Sequence, residues 1–517
     1  MKKSIFFLFV FGFFVNAYSQ EALWTDAYYS DDFIFYNAPI IHPESEETFL
    51  VEGRVINSIT QQIMLHVLKY DISGNLISEQ TFDNELSNYS IIDYKIDNLG
   101  HVYMLIFKEG KIVVRKYTLN NGDVIWTKTI QAAENYSYYP ISLIISENNT
   151  IFITAERYVS STYNSDTARL FAYDTEGNQL WERVFDSSNQ LAGDNVLAHL
   201  VYNNEIYLTG FTNGSNQVKL IKVDSYNNIT LNTFTDIPYY EFNVKRTQDN
   251  KLLIINKFVY QFSKMDLDGN ILWSVDNPFP NDTTSSGAGS VIQDEQGNFY
   301  IDGHYRLDEL LYGFSNSHNL ILKLDNNGNL LWQNVFPYAL GGALVLKNGN
   351  LFVGTSEIVG HEAYDYLVYK INPQTGNTNG VYRYEAAGGE EGLLTSIYVF
   401  DDNKVALTGR GLAFYVVSEN KWITQLLSES SFSVENPDNL ENVKLYPNPL
   451  DENQLLMIEA ENLKSYTVYS LTGQLLQQGK FESGSFHTIQ LQNLTKGVYL
   501  LKLNNDRQTL TKKIVIR

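Results

Sequence analysis

A turn signal recurs along this chain at a spacing that few folds can accommodate. Four copies read Asp-x-x-Gly-Asn, at Asp71–Asn75, Asp174–Asn178, Asp266–Asn270 and Asp325–Asn329. Looser copies stand at Asn121-Gly122-Asp123, Asn227-Asn228 and Thr375-Gly376-Asn377, and a worn eighth at Glu419-Asn420. Successive copies lie 42 to 59 residues apart, about 49 on average. Strand-like runs flank each one, such as Leu320–Asp325 before and Leu330–Phe336 after. Gly or Asn supplies the positive φ that a tight hairpin needs, and the Asp side chain can cap the turn amides. Each copy therefore marks a β-hairpin. A second hairpin precedes it, with turns at Asp97–Gly100, Glu147–Asn149, Tyr202–Asn204, Asp249–Asn250, Asp294–Gly297, Lys347–Gly349 and Asp401–Asn403. The strands after these turns often end in Gly (Gly53, Gly210, Gly303, Gly354, Gly409), where backbones are expected to crowd around a central axis.

Two hairpins per repeat make a four-stranded antiparallel sheet, and a series of such sheets at a fixed period is the signature of a β-propeller. The expected fold is all-β, with eight blades between about Asp31 and Leu427. Seven is the alternative, because the first and last units are worn. The strand Ala22–Tyr29 is expected to pair with the last blade and close the ring, which removes free sheet edges. A pair of β-sandwiches is the rival architecture, and it predicts no fixed period.

Tryptophan keeps the register of the repeat. Trp126, Trp181, Trp273 and Trp332 each lie four residues after the turn glycine; Trp422 follows the worn eighth turn and Trp24 sits in a matching Leu-Trp context. A large ring at one place in every blade reads as packing between adjacent sheets rather than as a ligand platform. The segments Gly-Asp-Val-Ile-Trp126, Gly-Asn-Gln-Leu-Trp181, Gly-Asn-Ile-Leu-Trp273 and Gly-Asn-Leu-Leu-Trp332 resemble the Gly-x-x-x-Trp docking motif of quinoprotein-type (PQQ-like repeat) propellers, and Ile371-Asn-Pro-Gln-Thr-Gly376 is similar to that family's turn. The resemblance implies architecture alone. Most turns here are one residue shorter, and the adjacent cysteine pair that the family's enzymes use beside their quinone has no counterpart in a chain without cysteine.

The ends of the chain read as targeting elements. Met1–Ser19 has the three parts of a secretory signal: Lys2 and Lys3, the apolar run Ile5–Val15, and the small residues Ala17 and Ser19 before a cut at Gln20. That run is too short to span a bilayer, and no later stretch approaches 18 apolar residues, so no transmembrane span is expected in the mature chain. Residues 20–430 are assigned to the propeller and 431–442 to a polar linker. Residues 20–442 carry a net charge of −27, whereas 443–517 carry +3, the asymmetry of a separate module. So acidic a chain is not expected to bind nucleic acid.

Three blocks in the last module carry a second resemblance. They are Leu445-Tyr446-Pro447-Asn448-Pro449-Leu450, then Tyr466 to Gly473 with Tyr469 inside it, and Leu494 to Leu503 with Gly497 and Tyr499. The chain ends in Lys512-Lys513-Ile-Val-Ile-Arg517. Together these resemble the type A C-terminal sorting domain of the type IX secretion system of Bacteroidota, over residues 443–517. The residues themselves read as a small antiparallel β-sandwich with a hairpin turn at Thr472-Gly473. The resemblance implies passage to the periplasm, recognition by the outer-membrane translocon and sorting machinery, and release or attachment to surface lipopolysaccharide.

Chemistry is harder to find. None of the eight histidines is paired at i, i+4, and no Gly-x-Ser-x-Gly elbow or phosphate loop occurs. Asp266–Asn270 resembles the start of a calcium loop but lacks its later Glu and flanking helices, so no cofactor is assigned and calcium stays an alternative there. The pairs Glu390-Glu391 and Asp401-Asp402 read as solvated charges rather than an acid/base pair. The longest connections, 158–167, 277–287, 307–319 and 358–366, are rich in Ser, Asn, Tyr and Asp, which suits hydroxyl-rich ligands. The expectation is a secreted or surface-held binding module for a glycan or a protein. The alternatives are a polysaccharide-degrading or divergent oxidoreductase enzyme and a structural spacer.

Overall fold

The computed structural model describes residues 22–35, 39–82, 89–97, 99–162, 165–185, 193–212, 217–238, 242–256, 261–275, 283–311, 314–337, 339–360, 363–384, 390–413, 421–432, 443–450, 455–460, 463–470, 474–481, 486–491, 494–504 and 509–517. The signal segment, most of the linker, Glu419-Asn420, His361 and Gly473 lie outside the described residues. The chain divides into two compact units, Met1–Ser433 and Val434–Arg517.

The first unit is a propeller of eight blades. Blades 2 to 6 are separate four-stranded antiparallel meanders over residues 89–130, 136–185, 193–238, 242–275 and 283–337. In blade 1 (33–82) the innermost strand is split into Phe33–Phe35 and Ile40–Pro43, both paired to Thr48–Asn57. Blade 7 (339–384) is joined to the blade 8 sheet by one parallel bridge, Tyr364–Glu391, besides the apolar packing of their seam. Blade 8 takes three strands from 390–427 and its fourth, outermost one from Trp24–Tyr28, which pairs antiparallel with Lys421–Leu427. The N-terminal strand thus closes the ring, as its sequence suggests.

The core is a ring of seams. Inner strands are buried on both faces, so successive side chains serve opposite neighbours. In His101–Lys108, Val102 and Met104 pack toward blade 1 and Tyr103 and Leu105 toward blade 3. Eight apolar clusters, one per seam, join each blade to the next, the last linking Phe400, Ala406, Trp422 and Leu426 of blade 8 to Phe35, Phe49 and Tyr70 of blade 1. Most of the innermost strands also carry a β-bulge, for instance between Ile91 and Asp93, Pro140 and Ser142, and Leu394 and Ser396. The residue after it reaches the next blade: Asp93 Oδ2 accepts from Leu143 N (3.0 Å), Ser142 Oγ from Ala198 N (3.3 Å) and Ser396 Oγ from Ile41 N (3.1 Å). A bulge re-aims the chain, and here it turns side chains across the seam.

Three expectations need correction. Gly53 and Gly354 are crowded by neighbouring side chains rather than by backbones at an axis, whereas a Cβ on Gly409 would meet both, the Leu393 carbonyl oxygen and, at 2.5 Å, the Tyr366 hydroxyl. A Cβ on Gly53 would lie 2.7 Å from Trp422 Cζ2, and one on Gly354 2.5 Å from Ile397 Cδ1. Trp422 does not occupy the repeat position after a fourth-strand turn; it lies in the third strand of blade 8, and Trp24 takes the repeat position instead. Residues 307–319 are not an irregular loop. Phe299–Leu311 and Phe314–Leu324 form one long hairpin, paired out to Leu311 and Phe314.

The second unit is a two-sheet sandwich. One sheet has three strands (Lys444–Tyr446, Leu455–Glu459, Phe486–Gln490). The other has four in the order Leu475–Lys480, Ser465–Ser470, Gly497–Asn504, Thr509–Ile516. Leu456, Ile458 and Ile489 from the first meet Val468, Leu501, Leu503 and Ile514 from the second in one core.

Candidate functional site

The antiparallel meander puts two kinds of connection at each end of the barrel of blades. The tight turns between strands 1 and 2 and between strands 3 and 4 emerge on one face; the connections between strands 2 and 3 and between blades, which include all the long ones, emerge on the other. The tight turns that begin with Asp share one capping pattern. Asp325 Oδ1 accepts from Asn327 N (2.9 Å) and Asn329 N (2.8 Å), and Oδ2 from Asn329 Nδ2 (2.8 Å). Asp266 accepts in the same way from Asp268 N and from both nitrogens of Asn270, all at 2.9 Å. Burial is the largest single influence on the Asp266 carboxyl and raises it, but the hydrogen bonds from Asn270 and Asp268 together hold it below its ordinary range. The oxygens a calcium ion would need are thus engaged within the turn.

The four repeat tryptophans stand at four different seams and are not brought together. Each indole Nε1 donates to a carbonyl in the tight turn of the following blade: Trp126 to Thr175 (2.9 Å), Trp181 to Ser225 (3.0 Å), Trp273 to Asn326 (3.1 Å) and Trp332 to Pro373 (3.1 Å). Trp24 completes the set on Ile72 O at 3.2 Å. The turn glycine opposite is needed twice over. Gly328 has φ +86°, and a Cβ there would lie 2.8 Å from the Trp273 ring.

Sequence reading missed the partner of these rings. A lysine stands two residues before the turn in most blades, at Lys69, Lys116, Lys222, Lys264, Lys323 and Lys370. Lys264 and Lys323 are almost fully buried. Lys323 Nζ lies over the Tyr300 ring (5.0 Å) and donates to Pro373 O (2.8 Å), the same oxygen that Trp332 and Tyr300 reach. Lys264 Nζ lies over Phe299 and bonds Asn326 Oδ1 (2.6 Å) and Asp249 Oδ2 (2.7 Å). An ammonium on an aromatic face is stabilised in a way a bare apolar wall cannot match. The available signal was the step Lys-x-Asp/Asn before the turn, with Thr118 in place of the acid after Lys116.

One cleft of about 580 Å³ opens on the tight-turn face, over the turns of blades 5 to 8. Gln248, Glu295, Gln296, Lys347, Asn348, Gln374 and Asp401 line it, with Leu346 and Pro373 as apolar wall. Lys347 Nζ is 2.5 Å from Asp401 Oδ1, and that contact raises the lysine above its ordinary range. Asp402 is engaged separately by Lys404, so the Asp401-Asp402 pair is split. The cleft lies on the face opposite the four long connections. The side chains of Glu390 and Glu391 lie outside the described residues. Among the described residues no group of three or more His, Asp or Glu is arranged to hold a metal.

Two buried carboxylates stand at one structural position, the second-strand residue before a glycine. Burial pushes Asp302 up to about 7 against the hydrogen bonds of Asn319 Nδ2 (2.7 Å) and the Gly342 and Ser290 amides. Burial also pushes Glu52 up to about 7, opposed by Lys95 and Tyr94. His66, fully buried at the closing seam among Tyr28, Phe33 and Trp422, is pushed down to about 4 by burial. None of these three groups lines the cleft over the tight turns.

In the sandwich, the first and last sequence blocks meet. Asn448 Nδ2 donates to Lys513 O (2.8 Å) and Val515 N donates to Asn448 Oδ1 (3.0 Å). Pro449 and Lys513 are exposed and Pro447 and Lys512 half-buried. Tyr469 pairs with Leu475 and Leu500 in mid-sheet, and Tyr499 OH donates to Thr495 O (2.6 Å) beside Gly497. Of Tyr446 only the backbone is described, in its strand opposite Met457.

A ring of like blades followed by a separate sandwich defines the class: a β-propeller with a C-terminal module. Residues 444–517 match the family described as the secretion system C-terminal sorting domain, so the second unit is a type IX sorting domain. It implies interaction with that secretion machinery and export to the cell surface or the extracellular space. Over the whole chain, no curated protein matches. Solved structures similar to the propeller include the WD40 domain of SCAP from fission yeast (10% identity, 80% of this chain and 98% of that one, TM-score 0.41). The Dos1 propeller is similar at 10% identity over 78% and 94%, with TM-score 0.47. Virginiamycin B lyase from Staphylococcus aureus is similar at 12% over 63% and 94%, with TM-score 0.37. No helix of the described residues is long and apolar enough to cross a membrane.

Proposed function

We propose that this protein is an exported, non-catalytic binding module whose tight-turn cleft takes a neutral, hydroxyl-rich ligand, a segment of polysaccharide. In this reading residues 1–19 direct the chain to the periplasm, the sorting domain passes it outward, and the product is released or held on surface lipopolysaccharide. The repeat tryptophans serve as blade-docking residues and take no part in binding.

The observation that carries the ligand class is the cleft's lining. Gln248, Gln296 and Gln374 are exposed amides, each offering a donor and an acceptor at fixed spacing, as vicinal hydroxyls require. The single lysine is neutralised by Asp401 and Glu295 adds negative charge, which disfavours anionic ligands. Leu346 and Pro373 offer apolar surface to the C–H face of a sugar ring.

A screen of neutral and acidic polysaccharides against the exported chain tests this, with reducing-sugar release followed in parallel. A neutral polysaccharide is expected to bind, and Gln296→Ala/Gln374→Ala to weaken it about tenfold or more, the loss of one or two hydrogen bonds. Sugar release would overturn the non-catalytic reading. Binding untouched by the double variant would move the site elsewhere, and binding only to proteins would replace the ligand class.

A further inference from the structure

The strand Thr509–Ile516 is an edge strand: its inner side pairs with Gly497–Asn504, and its outer side faces away from the sheet. An edge leaves every second residue's N–H and C=O without a strand partner. Here the outer groups of Lys513, Val515 and Arg517 are met by the first sequence block. The Asn448 side chain acts as a stand-in peptide group, donating to Lys513 O (2.8 Å) and accepting from Val515 N (3.0 Å). The main chain then continues the ladder, Leu450 N to Val515 O (2.9 Å) and Arg517 N to Leu450 O (2.9 Å). The Leu450 side chain is buried in the sandwich core, which anchors the block. Two stretches more than 60 residues apart in sequence are thereby fused into one surface bearing Asn448, Pro449, Lys513 and Arg517, all exposed.

We propose that the secretion machinery reads this composite surface in its folded form, and that Asn448 is the positioning residue that holds the basic tail against the Pro-Asn-Pro turn. The tail alone is then not the signal: cut loose from Asn448 it retains its sequence and loses its geometry. The inference rests on residues 444–517 being the export signal. Only a side chain with one donor and one acceptor at this reach can bridge Lys513 O and Val515 N. Alanine removes both bonds. Aspartate keeps the acceptor for Val515 N but sets a carboxylate against the Lys513 carbonyl.

The full-length chain is compared in a secreting host as wild type, Asn448→Ala, Asn448→Asp, the exposed-strand control Gln478→Ala, and a truncation lacking 444–517. The fraction outside the cell is measured, together with amide exchange in the purified protein. For Asn448→Ala, export is expected to fall about tenfold and exchange at Ile514–Ile516 to quicken about tenfold, while Leu501 in the core stays protected. Asn448→Asp falls between this and wild type, and Gln478→Ala behaves as wild type. Wild-type export of Asn448→Ala, or tail exchange unchanged in it, overturns the proposal. So does a loss of export that appears in both Asn448 variants only together with loss of Leu501 protection, which would be unfolding rather than mispositioning. Export of the truncated chain would overturn the underlying reading of 444–517 instead.

Discussion

Replacing Trp422 with alanine is expected to lower the stability of the propeller by about 3–5 kcal/mol, the range for emptying a buried aromatic site. The indole is fully buried where blade 8 meets blade 1. Its ring lies 5.1 Å from that of Phe35 and 5.7 Å from that of His66. Gly53 has no side chain to fall into the space, and the surrounding Phe49, Tyr70 and Leu426 are held by their own strands, so the cavity cannot collapse. The seam also adjoins the one blade assembled from the two ends of the propeller chain, where loosened packing frees the N-terminal strand. Urea unfolding followed by far-ultraviolet circular dichroism checks this. A midpoint that falls with the slope unchanged is the expected result; a loss under about 0.5 kcal/mol would mean the seam is not packed as described.

The second large effect is tied to pH. Asp302 is fully buried, and burial lifts it from 3.8 to about 7. The folded state therefore prefers the protonated acid. The sign follows from linkage: the carboxyl's stabilising share is complete below about pH 4, is lost as pH rises toward 7, and is flat above. The difference across that window is on the order of 4 kcal/mol. Asp302→Asn removes the titration while keeping the shape. Asn319 beside it has a buried Oδ1 with no hydrogen-bond partner among the described residues, so an added amide donor finds an acceptor. The variant is expected to be more stable than wild type at pH 8 and no better at pH 4, measured as paired unfolding midpoints across that range. A difference that does not change with pH would show that Asp302 stays ionised when folded.

What could be read in advance follows from where each signal lives. The period of the turns, the indole four residues past each glycine, and the extra strand Ala22–Tyr29 are local and repeated, so they survive without coordinates. The same holds for the blocks around Asn448, Gly497 and Lys512. What escaped depends on contacts between blades. Lys323 beside a turn looks like a solvated surface charge, and only the neighbouring Pro373 carbonyl and the Tyr300 face make it interior. Trp422 falls outside the turn-based register because blade 8 takes its fourth strand, Trp24–Tyr28, from the N-terminal end of the propeller rather than across a turn. The polar run Leu307–Asn319 shows no alternation, yet it extends a hairpin because its two arms pair with each other. The cleft lies among the shortest turns because it is made by four blades at once, and length of connection drew attention to the opposite face. Asn448 and Val515 are far apart in sequence and carry no local mark of their contact.

The most direct test of the closed ring uses the absence of cysteine from the chain. Thr25 and Gln425 are paired across the closing strands, and Gln425 Nε2 donates to Thr25 Oγ1 at 3.0 Å, so their side chains face each other. In Thr25→Cys/Gln425→Cys the two thiols are the only ones present. Mild oxidation of the folded protein is predicted to give one intramolecular disulfide, seen as a faster-migrating species on a non-reducing gel with the circular dichroism of the wild type. Two thiols that stay free in the folded protein would contradict closure by the N-terminal strand, and with it the eight-bladed ring.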